Sequence, residues 1–144
     1  MIFENGLYGQ TQYLLQKSMD VEMIRRNVIA DNIANADTPH FKRSHVTFEA
    51  ELRRTIDANR FTAENTIPTR MTNDRHIPFF KMNDVRDVEA KTQMDYLSTM
   101  RNDGNNVDIE TEVQDMTTNT LRYQALTTMV TNNFKLLGSV MRTA

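Results

Sequence analysis

The residues best suited to chemistry in this chain are three histidines, His40, His45 and His76, set among acids such as Asp37 and Asp74. His40 and His45 stand five apart behind Pro39, with Asp37 close by, so a metal site is conceivable. Helical ligand pairs need spacings of three or four, however, and no further ligand cluster completes the set. Asp74-Arg75-His76 can be read as catalytic, but it has neither a nucleophile with a positioned base nor a glycine-rich phosphate cradle, and it reads as a local turn. The chain has no cysteine, which removes thiolate catalysis, zinc ribbons, iron–sulfur ligation and disulfide frameworks together. The expectation is a protein that is not an enzyme and has no metal or cofactor.

Charge excludes a second class of function. Seventeen basic and nineteen acidic side chains leave a net charge of −2. A nucleic-acid binder would carry a basic stripe, whereas the candidates here are the isolated pairs Lys42-Arg43 and Arg53-Arg54. Lys42-Arg43 reads as a solvated pair, with contact to an acidic partner as the minority alternative. No run of about 18 apolar residues occurs, so no membrane insertion is expected. The first twenty residues lack a basic n-region and are interrupted by Glu4, Asn5, Gln10 and Gln12, so no Sec-type signal is expected either.

The elements that would position these residues are mostly helical. Ile109, Val113, Met116, Thr120, Tyr123, Thr127, Val130, Phe134, Leu137 and Met141 follow one another in alternating steps of four and three, a heptad seam. This predicts a helix of about 33 residues, roughly 50 Å long at about 1.5 Å per residue. Asp103-Gly104-Asn105-Asn106 is a turn signal before it, Asp108 is its N-cap, and Leu126, Met129, Leu136 and Val140 widen its apolar face. A second proline-free helix is predicted from about Leu7 to Ala34. Leu14, Val21, Ile24 and Val28 form one of its stripes, Tyr8, Leu15, Met19, Met23 and Ile33 a second, and only Gln16, Asp20, Asn27 and Asp31 a purely polar arc. An apolar surface this broad exceeds the stripe of an ordinary surface helix and calls for partners.

Pro39 and the Asn/Asp-rich turn before it end the first helix. Phe48, Leu52 and Ile56 predict a short amphipathic helix. Asp57 to Asn83 is turn-like and polar, with Ile77-Pro78-Phe79-Phe80 as its anchor, and reads as a mobile or short-stranded insert. Val88, Met94, Leu97 and Met100 predict a further short helix within Val85 to Arg101. The expected fold is therefore mainly α, with the two terminal helices pairing antiparallel as a coiled-coil-like rod domain and a polar, partly irregular or short-stranded central insert. Residues 1–36 and 107–144 would form the discontinuous helical core, and residues 37–106 a partly flexible connecting segment. Lateral copies would cover the apolar faces left exposed; the expected assembly residues are Leu14, Val21, Ile24, Val28, Ile109, Val113, Met116, Tyr123, Val130, Phe134, Leu137 and Met141. The same heptads also suit a cytoplasmic helical adaptor or export chaperone that binds partner helices.

Three blocks carry a resemblance. Asn32-Ile33-Ala34-Asn35-Ala36-Asp37-Thr38-Pro39-His40-Phe41-Lys42 resembles the N-terminal signature of the flagellar axial proteins, the rod, hook and hook-associated family. Asp103-Gly104-Asn105-Asn106-Val107-Asp108, followed by Asn119 to Ala125, is similar to the C-terminal pattern of that family's smallest rod subunits, and Thr72 to Ile77 resembles a mid-chain element of the same subunits. Where the family usually has glycine after the proline, this chain has His40, which implies strain or an altered turn if the position needs positive φ. The resemblance implies a structural protein without cofactor, exported unfolded through the flagellar type III apparatus without a cleaved signal. It further implies assembly in the periplasmic rod of the basal body with copies of itself, other rod proteins, and membrane-ring and export-gate proteins.

Overall fold

The computed structural model describes residues 7–65, 73, 75 and 85–143. It is mainly helical: α1 (Leu7–Ala34), β1 (Ser44–Thr47), α2 (Glu49–Asn65), a single 3-10 turn (Val85–Asp87), β2 (Lys91–Met94) and α3 (Ile109–Thr143). The chain divides into two compact units, one of residues 1–46 and 92–144 and one of residues 47–91.

In the first unit α1 packs along α3. Asn119 meets Glu22 and Glu112 meets Asn32, so the two helices run antiparallel, as the heptads predict. Neither helix contains proline, and α3 begins where the sequence marks it. The Asp108 carboxylate accepts hydrogen bonds from the Glu110 backbone N–H (3.1 Å) and the Thr111 hydroxyl (2.6 Å). The Thr111 bond, more than the backbone contacts, holds the Asp108 carboxyl below its ordinary pKa. Glu110 and Glu112 in the first turn and Arg142 in the last complement the helix dipole.

The aliphatic core of this unit is small, comprising Val21, Ile29, Ala36, Val46 and Val107. Among the described residues the largest fully buried side chains are instead Glu112, Asn32, Asn105 and Asn119. Burying a carboxylate and three amides is tolerable only if each is hydrogen-bonded, so the fold must supply partners for them.

β1 and β2 form a two-stranded sheet. The Asp95 N–H donates to the Arg43 carbonyl (2.9 Å) beyond one end and Thr47 Oγ1 donates to the Lys91 carbonyl (3.2 Å) at the other, which makes the pair antiparallel. β2 occupies part of the stretch whose apolar spacing predicts a helix over Val85 to Arg101. That helix does not form: Met94, Leu97 and Met100 are all exposed. Two local competitors explain the failure. Residues 91–94 pair with β1, and the Asp95 carboxylate accepts the N–H groups of Leu97 (3.0 Å) and Ser98 (3.3 Å), an Asx-type turn that ends the strand.

In the second unit α2 packs against the 3-10 turn, and among the described residues Phe48 and Val88 are its buried apolar side chains. The spacing of Phe48, Leu52 and Ile56 marks this helix, and the Phe48 carbonyl accepts the first intrahelical bond, from the Leu52 N–H at 3.0 Å. The helix runs on to Asn65, so residues 57–65 are not the irregular segment that their polarity suggests. No proline intervenes before Pro68, and polar residues do not stop a helix that is already nucleated. Pro68, Asp74, His76 and the Ile77-Pro78-Phe79-Phe80 cluster lie outside the described residues. Arg75 is described, and its N–H donates to Asn73 Oδ1 at 3.0 Å, consistent with a local turn.

Candidate assembly site

The two sequence blocks that stand out in the linear chain meet in the structure, where they form a polar latch at the end of the α1–α3 pair. α1 ends in a tight run of turns: the Asn35 N–H donates to Asp31 and Asn32 carbonyls, Ala36 to Ile33, and Thr38 to Asn35. These turns aim three carbonyls at one point, and Asn105 occupies it. Asn105 Nδ2 donates to the carbonyls of Asn35 (3.1 Å), Ala36 (2.9 Å) and Thr38 (2.9 Å), while its Oδ1 accepts the Val107 N–H (2.7 Å). Three acceptors on one side and a donor on the other fix which atom is nitrogen.

Asn106 and Asn32 repeat the device. Asn106 Oδ1 accepts the Arg43 N–H (2.6 Å), and its Nδ2 donates to the Asp95 carbonyl (2.9 Å) and Ser98 Oγ (3.0 Å). Asn32 Oδ1 accepts the Ser44 N–H (3.0 Å) and its Nδ2 donates to the Ser44 carbonyl (2.8 Å), so the side chain pairs with β1 as a neighbouring strand would. The same Nδ2 donates to Glu112 (3.2 Å). Glu112, whose side chain is 0% exposed, also accepts from Arg43 Nε, and the other arm of that guanidinium reaches Asp115 at 2.8 Å. Arg101 adds bonds to the Ala36 carbonyl (3.1 Å) and Asp37 (2.9 Å).

Arg43 is therefore not the solvated residue that its place in a basic pair suggests. It neutralises a buried carboxylate of its own chain, and Lys42 Nζ donates to the Ser98 carbonyl at 3.0 Å. A basic residue in a polar stretch gives no sign in the sequence of an acid 69 positions away. The apolar spacing of α3 gives no sign either, because it selects Ile109 and Val113 and passes over Glu112.

His40 stands at the tip of the latch with φ of 62°, in the left-handed region. The position does need positive φ, and histidine accepts there a conformation that glycine adopts freely. Its N–H donates to the Asp103 carbonyl (3.1 Å), and Gly104, at φ of 80°, faces it. A Cβ on Gly104 would lie 3.0 Å from His40 Nδ1, so the glycine serves both its own backbone conformation and the close approach. Among the motif residues, Asn32, Asn35, Thr38, Lys42, Asp103, Gly104 and Asn105 thus take part in the latch. Ala34, Pro39 and Phe41 flank it, the Phe41 N–H closing a turn onto the Thr38 carbonyl at 3.3 Å.

The twelve residues expected to make assembly contacts separate into two groups. Val21 is buried, and Leu14, Val28, Met116, Tyr123, Val130 and Leu137 are partly covered. Ile24, Ile109, Val113, Phe134 and Met141 are exposed. The seam actually covered on α3 runs Glu112, Met116, Asn119, Tyr123, Leu126, Val130, Asn133 and Leu137. Its steps are again four and three, but it shares only every second residue with the apolar series. The apolar partners in that series, Ile109, Val113, Phe134 and Met141, are left outside, together with Leu121, Met129, Leu136 and Val140. On α1 likewise, Glu22 turns inward to Asn119 while Met23 and Ile24 face outward. Among the described residues, no group of three His, Asp or Glu side chains converges as a metal site, and no helix is long and apolar enough to cross a membrane.

Comparison with known proteins shows the family to which these sequence blocks belong. The profile of the family described as flagella basal body rod protein matches residues 19–42, the second half of α1 and the first half of the latch. The flagellar basal body rod protein FlgB of Borrelia hermsii is 44% identical over 137 residues, 95% of this chain and 99% of the relative. FlgB of Borreliella burgdorferi is 39% identical over 97% of this chain and 98% of its own length. FlgB of Proteus mirabilis (strain HI4320) is 31% identical over 92% and 93%. Matching end to end, with both halves of the latch inside the alignment, the chain belongs to the FlgB family of flagellar basal body rod proteins.

Proposed function

We propose that this chain is a structural subunit of the basal-body rod that polymerises through its terminal helices and has no catalytic role. The observation that carries the reading is the outer surface of α3. A chain whose largest fully buried side chains, among the described residues, are polar leaves Phe134, Leu136, Val140 and Met141 more than half exposed at one end of its longest helix. Soluble monomers rarely display so many large apolar residues together, and a polymer covers them. In this reading residues 1–36 and 107–144 are the rod core, residues 37–106 connect outward, and the latch joins the two.

Its neighbours would be further copies of itself and other rod proteins along the axis, with membrane-ring and export-gate proteins at the base, in the periplasmic part of the flagellum. Heterologous contacts that do not close generate the helical continuation a rod needs. Replacing Phe134 by Asp tests this directly. The residue is 58% exposed, so the isolated chain should keep its stability to within about 0.5 kcal/mol, as surface substitutions do. The variant should nevertheless be absent from purified basal bodies, and the cells should not swim. Normal incorporation and swimming would refute an interface on this face, and retention of the parent chain in the cytoplasm would favour an adaptor instead.

A further inference from the structure

The apolar contacts between α1 and α3 do not by themselves define how the helices align. On α1, Leu14, Val21 and Val28 recur every seven residues, as do Leu15 and Ile29 on either side of Glu22. On α3, Met116, Tyr123, Val130 and Leu137 recur every seven. Sliding one helix along the other by seven residues, about 10 Å, therefore returns apolar side chains to apolar neighbours. What breaks the repetition is polar: the Asn32–Glu112 bond within the latch at one end of the pair, and Glu22 with Asn119 along its length. Glu22 is 6% exposed and Asn119 2% exposed. Asn119 Nδ2 donates both to the Glu22 carboxylate and to the Glu22 carbonyl (3.0 Å), and Arg25 braces the same carboxylate at 2.6 Å.

We propose that Glu22 and Asn119 are the register-determining pair of the α1–α3 coiled coil, selecting one alignment and rejecting those offset by a heptad. A slip in one direction sets Glu22 against Glu112, two carboxylates in an apolar seam, and sets Asn119 against Leu15. A slip in the other sets Glu22 against Leu126 and Asn119 against Ile29. Each strands a buried polar group without a partner, which costs more than the apolar contacts can distinguish. The pair is not built for stability, because Asn119 Oδ1 is buried with no hydrogen-bond partner among the described residues. Buried polar residues that set coiled-coil register behave in this way, trading stability for alignment. Such a device matters to a helix that folds among many identical helices, each offering the same heptads.

The latch also resists slippage, through Asn105 and through Glu112 with its partners Asn32 and Arg43, so the test must release both, in the background Asn105→Ala/Glu112→Leu/Arg43→Met. The chain has no cysteine, so nitroxide labels placed at Gln16→Cys and Gln114→Cys, both exposed positions, report the axial offset by pulsed electron resonance in the full-length protein. The parent and the released background should each give one distance. Adding Glu22→Leu/Asn119→Leu to that background should add a second population displaced by about 10 Å. Glu22→Leu/Arg25→Leu/Asn119→Leu with the latch intact should melt no lower than the parent, since the apolar replacements remove an unsatisfied acceptor together with the guanidinium that pairs with Glu22. A single distance once Glu22 and Asn119 are replaced in the released background, a displaced population in that background alone, or a melting temperature of the latch-intact apolar variant several degrees below the parent would each overturn the assignment.

Discussion

Asn105 offers the most searching test of the latch, because removing its side chain does not have the effect a count of its hydrogen bonds suggests. Four bonds are lost in Asn105→Ala, but the three carbonyls keep other donors. Asn35 O retains the Thr38 N–H (3.0 Å), Thr38 O retains the Phe41 N–H (3.3 Å), and Ala36 O retains Arg101 (3.1 Å). The Val107 N–H, bonded at 2.7 Å to Asn105, is the group stranded. An orphaned buried donor costs about 1–3 kcal/mol and the vacated volume about 1 kcal/mol more, giving a loss of roughly 3 kcal/mol. At about 3 °C per kcal/mol for a chain of this size, the melting temperature should fall by roughly 10 °C.

Asn105→Asp separates hydrogen-bond polarity from shape. It keeps the acceptor for Val107 but aims a carboxylate oxygen at three carbonyls, so at neutral pH it should be less stable than Asn105→Ala. Burial and the carbonyl dipoles raise the pKa of that carboxyl in the folded state above its unfolded value. Its penalty is then fully developed above the folded pKa and is removed as pH falls toward the unfolded value of about 4. Urea denaturation followed by circular dichroism at pH 7.5 and pH 5, with Asn105→Ala as reference, reads both effects. An aspartate variant more stable than the alanine variant at pH 7.5, or one that does not gain on it at pH 5, would refute the account of the latch.

Further outcomes follow from the same geometry. His40→Gly should raise stability by about 0.5 kcal/mol, since the strain of a left-handed histidine slightly exceeds the added freedom of glycine in the unfolded chain, whereas the β-branched His40→Val should lower it. Gly104→Ala should be harmful beside His40 and less so in the His40→Gly background, so a double-mutant cycle should show coupling between the two positions. Arg43→Met should cost about 3–4 kcal/mol by leaving Glu112 buried without its counter-charge, and adding Glu112→Gln should recover part of that loss in thermal melts.

Much of this arrangement was legible in the chain. The span of α1, the cap at Asp108, the antiparallel pairing of the termini and the family signature were all readable, because helix length, caps and breakers depend on near neighbours. The elements misread were those decided by distant partners. Residues 91–94 pair as a strand because β1 lies beside them, and Asp95 then turns the chain, although Val88, Met94, Leu97 and Met100 have helical spacing. The residues covered on α3 are offset from the apolar series for a related reason. Choosing the most apolar series keeps Ile109, Val113 and Phe134 and discards Glu112 and Asn119, whose burial depends on Arg43, Asn32 and Glu22 elsewhere in the chain. Pattern reading treats polar residues as outward-facing and so passes over a helix pair aligned by buried amides and acids. The same apolar series nevertheless marks part of the surface that the chain leaves uncovered.

The central claim, that this surface is completed only inside the rod, is tested most directly by a cryo-electron microscopy map of the basal body with this chain traced in it. The account predicts that Phe134, Leu136, Val140 and Met141 are buried against helices of neighbouring subunits, while Asn105 still bonds the Asn35, Ala36 and Thr38 carbonyls of its own chain. A rod in which this face of α3 is bare to solvent, or in which the latch has opened, would contradict it.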